Sequence, residues 1–334
     1  MFEKLYMKKF IVVTSIFYPT EAIKKLDNIA NSSLIVVGDK KTPNDYSLKN
    51  GIFMSAQNSY GFCIEKKLPF NHYSRKMLGY LYAMYLGADI ILETDDDNIP
   101  FDDWDFPKFQ GEYEYVPENS GFVNIYSYFT NQKIWPRGLP LNKINDMNPV
   151  LSIPEKLNIG VWQGLADEDP DVDAIYRLTN NQPCYFDKTK QPIVLKKGSI
   201  CPFNTQNTSI TKYLFPLMYL PTTVTFRFTD ILRGLVFQPL MWHYGYCLGF
   251  TTASVLQKRN EHDYMKDFVS EIPCYLDAQK VIEITQNSIV DNYDIYQNLY
   301  ETYKNLYKNN IVKEDELDVL SAWINDCKHL LKSR

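Results

Sequence analysis

Three short apolar runs constrain this chain more than any other feature: Phe10–Ser15 (FIVVTS), Ser33–Gly38 (SLIVVG) and Asp89–Glu93 (DIILE). Each is rich in β-branched residues and apolar on both alternating faces, the pattern of a parallel strand covered on both sides. Between them lie segments with helical spacing. Pro19–Ala30 places Ile23 and Leu26 on one face, with Pro19 suited to a first turn. His72–Leu86 carries a stripe of Met77, Leu78, Leu81, Tyr82 and Tyr85, and a further short strand is expected near Gly51–Met54. Strand alternating with helix predicts an α/β fold with a Rossmann-type, nucleotide-binding parallel sheet.

In such sheets ligands bind outside the carboxyl ends of the strands. Polar clusters fall at three of those ends: Thr14-Ser15, Asp39 to Lys41, and Asp95-Asp96-Asp97-Asn98. They are expected to meet in one crevice. The acidic triple is the sharpest of the three, because adjacent carboxylates repel one another unless a cation compensates. In extended backbone Asp95 and Asp97 would face the same side and Asp96 the other. Two carboxylates completed by substrate phosphates suit Mg²⁺ or Mn²⁺. The plain alternative is an exposed acidic turn capping the next segment. Arg75 and Lys76, opening the helix before the acidic strand, are candidates for phosphate contacts or for a solvated helix face.

Composition sets outer bounds. The chain has 334 residues, a net charge of −5 and an isoelectric point near 5.5, which disfavours a nucleic-acid partner. Six scattered cysteines include no CxxC pair, so neither a zinc ribbon nor thioredoxin chemistry is indicated. There is no run of 18 apolar residues, so no membrane span is expected, and a soluble, cytoplasmic protein with at most peripheral membrane contact follows. The stretch 111–260 reads as irregular, with mixed strands and short helices. Beyond 261, Asp291–Asn310 and Lys313–Leu331 read as amphipathic helices, with Leu317, Leu320, Trp323 and Ile324 on one stripe. The expected organisation is a nucleotide-sugar-binding half at 8–110, an acceptor half at 111–260, and a helical extension at 261–334 whose surfaces are candidates for homodimerisation.

Longer strings carry a resemblance: VVTSIFYPTEAIKKL (12–26), LIVVGDKKTP (34–43), LPFNHYSRKMLGYLYAMYLGADIILETDDDN (68–98), GLADEDPDVDAIYRLT (164–179), PFNTQNT (202–208) and LPTTVTFRFTDILRGLVFQPLMW (220–242). They resemble the glycosyltransferase-like domain of the STELLO-type family, known from plant Golgi proteins. They are more distantly similar to the reversibly glycosylated polypeptides, which are UDP-arabinose mutases. The resemblance implies a GT-A-like fold, a nucleoside-diphosphate sugar donor (uridine by analogy), Mn²⁺ or Mg²⁺, and transfer to a hydroxyl acceptor in glycan synthesis. A nucleotide-sugar mutase and an inactive glycosyltransferase-like scaffold are the alternatives.

Further positions gain meaning from it. Asp230 opens an apolar helix, where inverting enzymes of this class place a carboxylate base; capping that helix is its plain reading. Arg227 and Arg233 would steady phosphates or the base, or pair structurally with Asp230. Asp167 and Asp169 belong to an acidic run that would line the acceptor site or form a solvated loop. Asn204, Gln206 and Asn207 would bind sugar hydroxyls or serve as buried turn amides. His243, at the end of the same helix, is a candidate third metal ligand beside Asp95 and Asp97.

Overall fold

The computed structural model describes residues 7–258 and 263–332. In chain order its elements are β1 (Lys9–Ser15), α1 (Glu21–Leu26), β2 (Ser33–Gly38), β3 (Ile52–Met54), α2 (Lys76–Tyr85), β4 (Ile90–Asp95), β5 (Asn98–Pro100), β6 (Gln110–Val116), β7 (Gly121–Phe122), β8 (Ser152–Glu168), α3 (Ala174–Thr179), β9 (Ile193–Leu195), β10 (Ser199–Ile200), β11 (Asn207–Thr211), α4 (Thr229–His243), β12 (Cys247–Gln257), α5 (Tyr264–Ser288), α6 (Ile295–Lys308) and α7 (Asp315–Lys332).

Strands β3, β2, β1 and β4 run parallel, as the apolar runs predict. The main sheet has ten strands in the order β3-β2-β1-β4-β11-β8-β6-β9-β12-β5, and β8 also pairs with β12. Strand β11 is antiparallel to both β4 and β8, which turns a parallel half into a mixed one. Period-two alternation divides the apolar residues between two layers. Ile11 and Val13 pack with Ile23 and Leu26 of α1, whereas Phe10 and Val12 pack on the side of α2 and α4. Helix α2 sits tight against the sheet: a Cβ at Gly79 would come within 2.5 Å of Val12 and 2.8 Å of Val37.

Several expectations need correction. The helix expected at Pro19–Ala30 is only α1, because Thr20 caps it by accepting from the Ile23 amide and leaves Pro19 outside. The helix expected from His72 starts as a 3-10 turn, Tyr73–Arg75, before α2. The stretch expected to be irregular contains the long strands β8 and β12. Helices α6 and α7 correspond to the two expected amphipathic segments, but α5 was not anticipated. The expected boundary at 260/261 lies outside the described residues. Helices α5 and α7 contribute Cys274, Ala278, Leu320 and Trp323 to the same apolar cluster as α4. No helix among the described residues is long and apolar enough to cross a membrane.

One charged group sits deep in that cluster. Glu93 of β4 is fully buried and lies 2.6 Å from the guanidinium of Arg233 on α4, while the Tyr80 hydroxyl of α2 donates to the same carboxylate. Removing Glu93 leaves a buried, unpaired cation, so Glu93→Ala is expected to cost about 3–5 kcal/mol in urea unfolding. A loss below about 1 kcal/mol, a surface-pair value, would show that this pair does not hold the sheet to α4.

Asp173 gives a second expectation. It caps α3 by accepting from the Tyr176 amide at 2.8 Å and accepts from the Trp135 indole at 2.8 Å. Burial pushes its carboxyl up to about 6. The folded state therefore holds this proton more tightly than the unfolded state, in which an ordinary Asp titrates near 4. Its stabilising contribution is complete below about pH 4 and fades as pH rises through about 6. Asp173→Asn keeps an acceptor for the cap but has no such titration. Its stability relative to wild type should rise between pH 4 and pH 7; a pH-independent difference would refute the burial argument.

Candidate active site

The carboxyl ends of β1, β4 and β12 and the head of β11 converge with the start of α4 around a cavity of about 240 Å³. Thr14 faces Asp95 across the β1–β4 ladder. All three residues of the acidic triple line the cavity, along with Tyr73, Arg137, Asp171, Asn204, Gln206, Arg227, Asp230 and Gln257.

The triple does not continue as extended backbone. Asp95 ends β4, and Asp96 and Asp97 form a turn into β5, so the expected alternation stops after Asp95. Lys76 is fully buried and donates to Asp95 Oδ1 at 2.7 Å and to the Thr94 carbonyl at 2.8 Å. Asp96 turns back to β1, where the Ser15 hydroxyl donates to it, and burial raises its carboxyl above the usual range. The Gln257 amide lies 3.4 Å from Asp97 Oδ2. Among the described residues no group of three or more His, Cys, Asp or Glu side chains gathers in a way that could hold a metal ion unaided. His243 does not join the cluster: it closes α4, thirteen positions after Asp230 and thus roughly 20 Å along the helix axis. Its Nδ1 lies 3.9 Å from Asp291 instead.

Asp39 ends up buried at the loop after β2, accepting the Asn71 amide at 2.7 Å, with Arg75 Nε at 3.8 Å. Arg75 lies over the Phe70 ring at 4.4 Å, and burial lowers its pKa. Thr42 ties this loop to β1, donating to the Ser15 carbonyl at 2.6 Å. Lys41 is exposed and makes no contact with the cavity.

On the opposite wall Arg137 is shared by two carboxylates. Its Nε and Nη2 donate to Asp171 at 2.9 and 2.8 Å, and its Nη1 and Nη2 donate to Asp230 at 3.0 and 2.9 Å. Burial would lower its pKa, but Asp171 and Asp230 raise it well above the ordinary value. The Tyr73 hydroxyl lies 3.2 Å from Asp230 Oδ1 and accepts the Asp230 amide at 3.0 Å. Asn204 donates to Asp171 Oδ2 at 2.6 Å. Arg227 pairs with Glu271 of α5 at 2.8 Å and lies 3.7 Å from Asp171. Sequence reasoning missed Arg137, which sits in WPRGLP, a stretch with no acidic or helical signal around it.

Four expected substrate residues lie elsewhere. Asp167 accepts the Phe186 amide at 2.9 Å, Asp169 pairs with Arg177, and Arg233 is the core partner of Glu93. Asn207 turns away from the cavity and donates to Ser254 at 2.8 Å.

The chain is 27% identical over 345 residues to "Probable glycosyltransferase STELLO1" of Arabidopsis thaliana, a match spanning 96% of this chain and 44% of that protein. It is 32% identical over 260 residues to "Probable glycosyltransferase STELLO2" of the same plant, spanning 71% of this chain and 34% of that protein. It thus covers less than half the length of these curated relatives. A solved structure titled "Crystal Structure of a Mycobacterial Protein" superposes with a TM-score of 0.41 at 10% identity, over 85% of this chain and 76% of its own, too loosely to equate the two folds. The family model described as STELLO glycosyltransferases matches residues 227–332, from Arg227 of the cavity wall through α7. That match and the collinear similarity along nearly the whole chain assign it to the STELLO-type glycosyltransferase family.

Proposed function

We propose that this chain transfers a sugar from a uridine diphosphate sugar to a hydroxyl acceptor, with Mn²⁺ or Mg²⁺ at Asp95 and Asp97. The observation that carries this reading is a single cavity with Asp95 and Asp97 on one wall and the Arg137-held Asp230 on the other. The donor set is hard oxygen, and two carboxylates leave the remaining positions to a diphosphate and water, the usual sharing for these cations. This suits a cation bound together with the donor better than a resident one. When bound, the cation supplies Lewis-acid neutralisation of the leaving diphosphate. Lys76 holds the Asp95 carboxylate in place, and Ser15 and Thr20 fix the turn through the Asp96 side chain and carbonyl. The Asp39–Arg75–Phe70 cluster is well placed, through the Thr42 link, to meet the nucleoside.

Asp230 is the proposed base. Its Oδ1 is surrounded by Arg137, Tyr73 and the Ile231 amide, whereas its Oδ2 accepts only Arg137 among the described residues. A carboxylate oxygen accepts two hydrogen bonds, so Oδ2 keeps a lone pair for an acceptor hydroxyl. Both oxygens of Asp171 are already engaged by Arg137, and Asn204 adds a further donor. Arg137 therefore orients the base.

Thermal shift with UDP, GDP and ADP, each with and without Mn²⁺, tests the donor site. At a hundredfold excess over Kd, UDP with Mn²⁺ should stabilise the protein by about 2.7 kcal/mol. Asp95→Ala/Asp97→Ala should abolish that shift, and no shift with any nucleotide would favour a non-catalytic scaffold. For the base, UDP release from a panel of UDP-sugars should fall about 10²–10⁴-fold in Asp230→Asn while the UDP–Mn²⁺ shift stays intact. Arg137→Lys, which keeps the charge but loses the fork, should lower turnover with the donor KM unchanged. Full turnover in both variants would place the base elsewhere.

A further inference from the structure

A large unassigned feature lies on the other face of the sheet. Helix α1 covers that face at β1, β2 and β4, but over β8, β11 and β12 a groove of about 880 Å³ opens instead. Its floor is made of strand residues with hydroxyl and amide side chains: Asn207 and Ser209 of β11, and Thr251 and Ser254 of β12. Two glycines keep that floor flat. A Cβ at Gly164 would lie 2.4 Å from the Asn207 amide nitrogen, and one at Gly249 would lie 2.4 Å from the Trp162 ring, which lies across it. Part-exposed Trp104 and Tyr113 stand in the walls.

Water-facing sheet surfaces ordinarily carry long charged side chains, and surfaces that dock protein carry bulky apolar ones. Apart from the Trp162 ring, this floor carries neither. Short hydroxyls and an amide can exchange hydrogen bonds with ligand hydroxyls, and an aromatic face accepts the C–H face of a pyranose ring. The exposed Asp103 and Asp105 flank the groove beside one lining cation, Lys108, and neither carboxylate is ion-paired among the described residues. That balance repels nucleotides, sugar phosphates and acidic glycans, while free carboxylates accept well from sugar hydroxyls. The volume falls within the range that encloses small ligands.

We propose that this groove is a second carbohydrate site that takes a neutral oligosaccharide. The groove and the catalytic cavity lie back to back at the head of β11, where Gln206 lines the cavity and the next residue, Asn207, lines the groove. The groove would hold a distal part of a glycan whose end is being extended; that use rests on the transferase reading, whereas binding does not.

Isothermal titration of the full chain with cellohexaose, mannohexaose and maltohexaose, and with oligogalacturonate as the anionic control, tests it. At least one neutral probe should bind, and oligogalacturonate should not. Trp104→Ala should weaken that binding about tenfold, as should the isosteric pair Asp103→Asn/Asp105→Asn. Both variants should keep the wild-type UDP–Mn²⁺ thermal shift, which reports the separate donor site and the folded state. No binding of any neutral probe, binding unchanged in both variants, or preference for oligogalacturonate or for a basic peptide would each overturn the proposal. Loss of the UDP–Mn²⁺ response in wild type would count against the donor site and leave the groove's own titration standing.

Discussion

Strand β4 is held by charge from one side. Its residues alternate: Ile90 and Leu92 face α1, while Ile91, Glu93 and Asp95 face α2 and α4. Two successive positions on the buried face are thus carboxylates, and each meets a buried cation, Arg233 for Glu93 and Lys76 for Asp95. Charges desolvated in this way are tolerated only as satisfied pairs. The pairing fixes the height of both helices against the strand, and so fixes where the strand's end, the turn after it and the start of α4 come to lie. The inner pair is sealed and structural. The outer pair opens on the cavity, where Asp95 is part-exposed.

The wall across the cavity repeats the device with the signs exchanged, since one guanidinium lies between Asp171 and Asp230. Behind it stands the helical C-terminal part. Glu271 of α5 accepts the Ala174 amide at 2.7 Å and pairs with Arg227, joining the start of α3 to the turn before α4. Glu316 of α7 accepts the amides of Thr222 and Thr223 and the Tyr219 hydroxyl. These helices buttress the cavity wall, and the family match runs from Arg227 to the end of α7.

What could be read from the sequence follows from these forces. Strands β1, β2 and β4 are apolar on both faces, so they announce themselves, and the Asp triple stands out because it follows one of them. Asp230 stood out because it opens a largely apolar helix, and it does line the cavity. Helix α5 was not, because the residues it buries, among them Glu271, Cys274, Ala278, Thr285 and Ser288, recur at helical spacing but are small or polar. Strand β8 hid for a similar reason: its outer half is half-exposed and its inner half is broken by Gly160 and Gly164, which exist to let neighbours lie flat. Arg137 carried no local signal, since its partners are 34 and 93 residues away. His243 misled because position along a helix decides reach. Asp167, Asp169 and Arg233 were chemically plausible but are consumed by structural partners.

The turn at Asp96 and Asp97 has a geometric consequence. Strands β11, β8 and β12 lie between β4 and β5 in the sheet. Laid flat, that places β4 and β5 roughly 19 Å apart. The chain from Asp95 to Asn98 can stretch only roughly 10 Å. The sheet must therefore roll at this end, like a sleeve whose cuff is drawn in by a stitch. The stitch is the acidic turn, and the cavity is the mouth of the cuff. The turn that carries Asp96 and Asp97 thus also limits how wide the mouth can open, which ties the size of what enters to the length of the turn.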